Sequence, residues 1–112
     1  MSDTAVTDAA TEPRVIRLLI ADDEHLIRGA LSALLNLEPD IDVVASVDNG
    51  VAAAAQALEL QPDVCLLDLE MPQADGIEAA TRILSTVATK VVIVTRHARP
   101  GVLRRALAAR VS

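Results

Sequence analysis

An α/β domain built on a doubly wound parallel sheet is the fold this sequence predicts, and three observations carry the prediction. Short β-branched apolar runs alternate four times with segments whose apolar residues recur at helical spacing. The runs are apolar at nearly every position, as strands covered on both faces are. Each run is also separated from the next by enough chain for a right-handed crossover helix, which parallel neighbours need.

Residues 1–13, MSDTAVTDAATEP, show neither period and end in Pro13, so they read as a disordered leader ahead of a single domain spanning 14–112. VIRLLIA (15–21) is the first strand. Residues 24–36 place Leu26/Ile27, Ala30/Leu31 and Leu34/Leu35 on one helical face, and Pro39-Asp40 break that helix. IDVVASV (41–47) is the second strand, and Asp48-Asn49-Gly50 supplies turn chemistry before an alanine-rich helix over 51–60. Its Ala52–Ala55 run suits a helix packed close against a sheet. Gln61-Pro62-Asp63 leads into VCLLDL (64–69), Pro72–Gly76 is a loop, and 77–87 is the third helix. KVVIVT (90–95) is the fourth strand, and 99–109 is a fourth helix opened by Pro100.

The 112 residues allow one ordinary core. Phe, Trp and Tyr are absent, so that core comes from 37 Leu, Ile, Val and Met residues and 20 Ala, and base-stacking platforms for single-stranded nucleic acid are excluded. The apolar runs are far short of the roughly 20 residues of a membrane span, and the acidic start is unlike a secretory signal. A single cysteine, Cys65, forms no internal disulfide and reads as a small buried hydrophobe, so a cytoplasmic setting is expected. All 16 acidic residues lie at or before Glu78, whereas residues 79–112 hold 7 bases and no acid. That basic tail reads as a solvated helix face balancing the acidic half, since it lacks a recognition helix and aromatics.

In open α/β sheets ligands bind beyond the carboxyl ends of the strands. There this sequence offers Asp22-Asp23-Glu24 after the first strand, Asp68-Leu69-Glu70 after the third and Thr95-Arg96-His97 after the fourth. With the first and third strands as neighbours, Asp22, Asp23 and Asp68 converge on one crevice. Clustered carboxylates raise one another's pKa, and an all-oxygen set of this kind suits a hard cation such as Mg²⁺. The plainer reading of either Asp22 or Asp23 alone is an N-cap for the helix beginning near Glu24. His25 and His97 read as solvent-facing, and Met71 as packing.

The runs LLIADDEHLIR (18–28), PDVCLLDLEMPQADGIEA (62–79) and VVIVT (91–95), in this order and at these intervals, resemble the receiver domain of bacterial two-component response regulators. The resemblance covers residues 15–112 and is nearest to the NarL/FixJ (LuxR-type) class and its DesR-like members. It implies a flavodoxin-like (CheY-like) fold with strand order 2-1-3-4-5. It also implies that Asp68 is the phosphoryl acceptor, that Asp22, Asp23 and Asp68 hold Mg²⁺ together with the backbone carbonyl of Glu70, and that Thr95 is the switch hydroxyl. Met71, Pro72, Gly76 and Arg96 flank the site. A sensor histidine kinase is the implied partner, and control of transcription through a helix-turn-helix domain, the only route to DNA, is the implied output.

The sequence departs from that pattern in places. The family's fifth strand and helix, the lysine ending that strand and the effector domain are not found before Ser112, and the only lysine, Lys90, opens the fourth strand at the opposite end of the sheet. An incomplete site is therefore expected, with an open fourth-strand edge that favours a homodimer or edge-paired oligomer. Arg96 and Arg110 stand where the family mostly has small residues. The competing function is a Mg²⁺-dependent phosphatase with an aspartate nucleophile, for which Glu70 occupies the place of the second acid. A dinucleotide-binding domain is disfavoured because no G-x-G-x-x-G follows the first strand.

Overall fold

The computed structural model describes residues 14–94. They form β1 (Ile16–Ala21), α1 (His25–Asn36), β2 (Ile41–Val47), α2 (Gly50–Leu60), β3 (Val64–Asp68), α3 (Gly76–Thr86) and β4 (Lys90–Val94). The expected leader over 1–13, the end of the fourth strand at Thr95 and the helix over 99–109 lie outside these residues. Within them each element falls where periodicity places it. The third strand closes at Asp68 rather than Leu69, and α2 begins at Gly50 rather than Val51.

The sheet is parallel throughout with order β2-β1-β3-β4, so β1 and β3 are neighbours, as the convergence of the aspartates requires. Strand residues alternate between the two faces of the sheet. Leu19, Ala21, Cys65, Leu67 and Val91 point to one side, where Ala53 and Ala57 of α2 and Ala79, Ala80 and Ile83 of α3 complete the core. The small alanines let both helices approach the sheet closely, which is how a chain without aromatic side chains packs densely. Cys65 is fully buried and its thiol is pushed up in pKa by that burial.

On the opposite face, Ile20 and Leu66 of the sheet and Ile27 and Leu31 of α1 line a cleft of about 130 Å³ that reaches Asp22, Asp68 and Val94. Among the described residues none of α1 is buried, and Leu26, Leu34 and Leu37 are 87%, 63% and 76% exposed. The helical spacing of its leucines is real, but no described element covers most of that apolar stripe.

At the amino ends of the strands, Asp63 ties the sheet together. Its carboxylate accepts the Arg17 backbone N–H at 2.8 Å, and its carbonyl accepts the Lys90 backbone N–H at 3.1 Å. Lys90 is therefore at the end of the sheet remote from the three aspartates, as its position in the sequence implies.

Candidate functional site

Three chain segments build the site, each leaving the carboxyl end of a strand. β1 is prolonged by the Asp22 backbone N–H, which donates to the Val47 carbonyl at 3.0 Å. The chain then turns into α1 with the Asp22 Oδ1 accepting the Glu24 N–H at 2.8 Å. This is the short aspartate turn that competes with helical bonding at helix entrances. Glu24, not either aspartate, is the N-cap of α1. The N-cap reading of Asp22 and Asp23 is thus set aside, and their carboxylates stay directed to the crevice.

Asp68 is the last residue of β3 and is only 9% exposed. One carboxylate oxygen from each of Asp22, Asp23 and Asp68 lies within 4.8 Å of the other two. Asp68 bears the electrostatic consequence. Burial, together with the Asp22 charge and to a lesser degree those of Asp23 and Glu70, pushes its pKa up to about 6, against a smaller opposing effect of the Glu70 backbone N–H. Three carboxylates at this spacing, one nearly buried, could hold a hard divalent cation. Mg²⁺, which keeps waters and takes few carboxylates, fits them.

β4 stands beside the site. Val94 pairs in register with Asp68, and its carbonyl accepts the Leu69 N–H at 3.0 Å. Thr95 and Arg96, the next residues, lie outside the described residues, as does His97. Beyond Asp68 the loop closes under the site. The Gly76 N–H donates to the Leu69 carbonyl at 2.8 Å, and a Cβ on Gly76 would meet the Asp68 carbonyl oxygen at 2.4 Å, so only glycine fits there. Met71 is buried in the core, Pro72 is exposed, and the Glu70 side chain is exposed. Asp75 caps α3 through a reciprocal bond with Glu78, each oxygen accepting the other residue's backbone N–H at 2.9 and 3.0 Å.

Reading strand ends did not identify Arg28 as part of this site. Its guanidinium donates to the Asp22 carbonyl at 2.8 Å and lies 3.0 Å from Nδ1 of the exposed His25. The usable signal was its position one turn inside α1, from which a long side chain reaches back over the helix entrance.

Comparison with known proteins agrees with this geometry. The response regulator receiver domain family matches residues 18–112. The transcriptional regulatory protein YvfU of Bacillus subtilis (strain 168) is 43% identical over 96 residues, covering 85% of this chain and 48% of that protein. The transcriptional regulatory protein DesR of the same organism is 43% identical over 95 residues, covering 85% and 47%. The chain thus spans about half the length of these curated relatives. The crystal structure of a DNA-binding response regulator of the LuxR family from Staphylococcus aureus superposes with a TM-score of 0.82 at 36% identity, covering 87% of this chain and 82% of that one. A 2-1-3-4 parallel sheet, an acidic triad across the ends of β1 and β3 and a matching sequence over most of its length together place this chain in the response regulator receiver domain family.

Proposed function

We propose that this domain receives a phosphoryl group on Asp68 from a phosphohistidine of a sensor histidine kinase and relays the change to an output, normally transcription. The convergence of Asp22, Asp23 and Asp68 carries this reading. In the transfer an Asp68 carboxylate oxygen attacks phosphorus, the P–N bond to the kinase histidine breaks, and that nitrogen takes up a proton. Asp22, Asp23, Asp68 and the Glu70 backbone carbonyl would hold Mg²⁺, which when bound offsets the charge gathering between phosphoryl group and acids. The chain's own residues position the reaction. Asp68 is fixed at a strand end with its backbone against Gly76, and Arg28 holds the turn that carries Asp22.

Thr95 is the proposed switch hydroxyl, since the chain reaches it from Val94, the register partner of Asp68. Arg96 follows it and is assigned an influence on the lifetime of the phosphoryl group. A second copy of this chain is a further proposed partner. β4 edges the sheet among the described residues, and Val94 there is 49% exposed. No described helix is long and apolar enough to cross a membrane, and a cytoplasmic setting suits the kinase partner.

Intact-mass measurement after treatment with a small phosphodonor and Mg²⁺ tests the reading. Wild type and Asp63→Asn should gain one phosphoryl mass and Asp68→Asn none. Equal labelling of the Asp68→Asn variant would assign the acceptor elsewhere. Continuous turnover of a phosphomonoester would favour the phosphatase, a reading that asks the exposed Glu70 to transfer a proton at the nucleophile.

A further inference from the structure

The loop from Leu69 to Asp75 leaves the site and runs to the first turn of α2, where every early N–H of the helix is satisfied. The Gly50 N–H donates to the Pro72 carbonyl at 3.3 Å and the Val51 N–H to the Gln73 carbonyl at 2.9 Å. The Ala52 and Ala53 N–H groups are taken by the side chain and carbonyl of Asn49, at 2.7 and 3.1 Å. Two of the four donors that a helix entrance leaves open are thus closed by the loop that follows Asp68.

That contact is close. A Cβ built on Gly50 would lie 2.0 Å from the Ala74 carbonyl oxygen and 2.7 Å from its carbonyl carbon. The obstruction is backbone, so it yields only if the loop moves. The loop is also conformationally loaded, because Gln73 and Ala74 both sit in the left-handed region, with φ of 52° and 84°, and neither is glycine. Leu69 and Met71 on either side of Glu70 are buried, and the chain leaves the site through residues 72–74, where the Pro72 and Gln73 carbonyls are held by the first turn of α2.

We infer that Gly50 is a positioning residue for the metal site: its missing side chain lets α2 clamp residues 72–74 in their loaded conformation, and the clamp sets how the chain presents Glu70 beside Asp68. The inference rests on the Mg²⁺ assignment made above. Without the clamp, Gln73 and Ala74 relax toward ordinary backbone angles, and the chain on the site side of them turns with them. Groups that orient metal ligands from behind are typically worth about 10- to 100-fold in metal affinity.

The test titrates Mg²⁺ against backbone amide shifts of the full chain for wild type, Gly50→Ala, Val51→Pro and Gly29→Ala. Gly50→Ala adds the obstructing Cβ. Val51→Pro removes the N–H bonded to Gln73 without adding that Cβ, at the second helical position, where no bond within the helix is lost. Gly29→Ala adds a Cβ in open space on α1 and is the control. The expected result is Mg²⁺ affinity about tenfold weaker in Gly50→Ala and Val51→Pro, unchanged in Gly29→Ala, and partly restored when Ala74→Gly is added to Gly50→Ala. In metal-free samples the amides of residues 70–75 should already be displaced in both clamp variants. A folded Val51→Pro or Gly50→Ala protein that binds Mg²⁺ as wild type does would overturn the inference and leave the metal site standing. Absence of Mg²⁺ binding by wild type would remove the metal assignment and this inference with it.

Discussion

Arg28 donates from its guanidinium to the backbone carbonyl of Asp22 at 2.8 Å, so the first turn of α1 holds the segment that carries two of the three converging carboxylates. A bond from a charged donor to a carbonyl is stronger than a neutral one, and it adds to the bond between the Asp22 side chain and the Glu24 N–H in fixing this turn.

Arg28→Met keeps the aliphatic stem and deletes the donor. It is expected to cost about 1 kcal/mol of stability and to weaken Mg²⁺ binding several-fold, as loss of a ligand-orienting bond does. Thermal unfolding in chelator, followed by Mg²⁺ titration, checks the two effects separately. Unchanged Mg²⁺ affinity would show that Asp22 holds its place without the arginine.

The left-handed Gln73 makes a prediction of opposite sign. Its φ of 52° costs a residue with a Cβ roughly 1 kcal/mol relative to glycine, although glycine returns part of the gain through a more flexible unfolded chain. Gln73→Gly should raise the unfolding midpoint slightly, and Gln73→Val should lower it, because a β-branched residue fits that region worst. Denaturant melts of the two variants decide the matter.

Asp75→Ala removes one half of the capping box on α3, the bond from the Glu78 N–H to the Asp75 carboxylate, and keeps the other, from the Asp75 backbone N–H to the Glu78 carboxylate. A loss of about 1 kcal/mol is expected, with little effect on Mg²⁺ binding. Asp75→Asn, which still accepts from the Glu78 N–H, should lose far less. Chemical denaturation of the pair measures the difference.

How far these features were legible beforehand differs by kind. The strands and helices between residues 14 and 94 follow from hydrophobic period and turn residues, because those express the same forces that bury the two sheet faces. Asp22, Asp23 and Asp68 could be placed together because parallel strands all end on one side of a sheet. Arg28 and Gly50 could not be assigned in that way. The role of Gly50 depends on where a loop distant in the chain meets α2, and that of Arg28 on a side chain reaching back over the helix entrance, for which its place one turn inside α1 was the one local signal. The left-handed Gln73 and Ala74 gave no signal either, since such residues are normally announced by glycine or asparagine. The exposed leucines of α1 show the remaining limit: periodicity reveals that a helix has an apolar face, not what covers it.

The raised pKa of Asp68 yields the last prediction. Folding moves this carboxyl from an ordinary value near 3.8 to about 6, chiefly by burial and by the neighbouring Asp22 charge. Between those values the folded state holds a proton that the unfolded state has released. The stability associated with this group is therefore fully present below about pH 4 and is lost as pH rises through about 6. At full strength the shift corresponds to about 3 kcal/mol, and solvent at the cleft mouth reduces it to on the order of 1–2. Asp68→Asn resembles the protonated acid and never ionises, so without metal it should be more stable than wild type above pH 6. Its advantage should widen by about 1 kcal/mol between pH 5 and pH 7.5. Saturating Mg²⁺ reverses the ranking, because the ion binds the ionised triad of the wild type and stabilises it by mass action, whereas the variant has lost one carboxylate. Denaturant melts at the two pH values, each with chelator and with Mg²⁺, give four comparisons. An advantage for Asp68→Asn that is independent of both pH and Mg²⁺ would mean that the three carboxylates do not act on one another as their spacing requires.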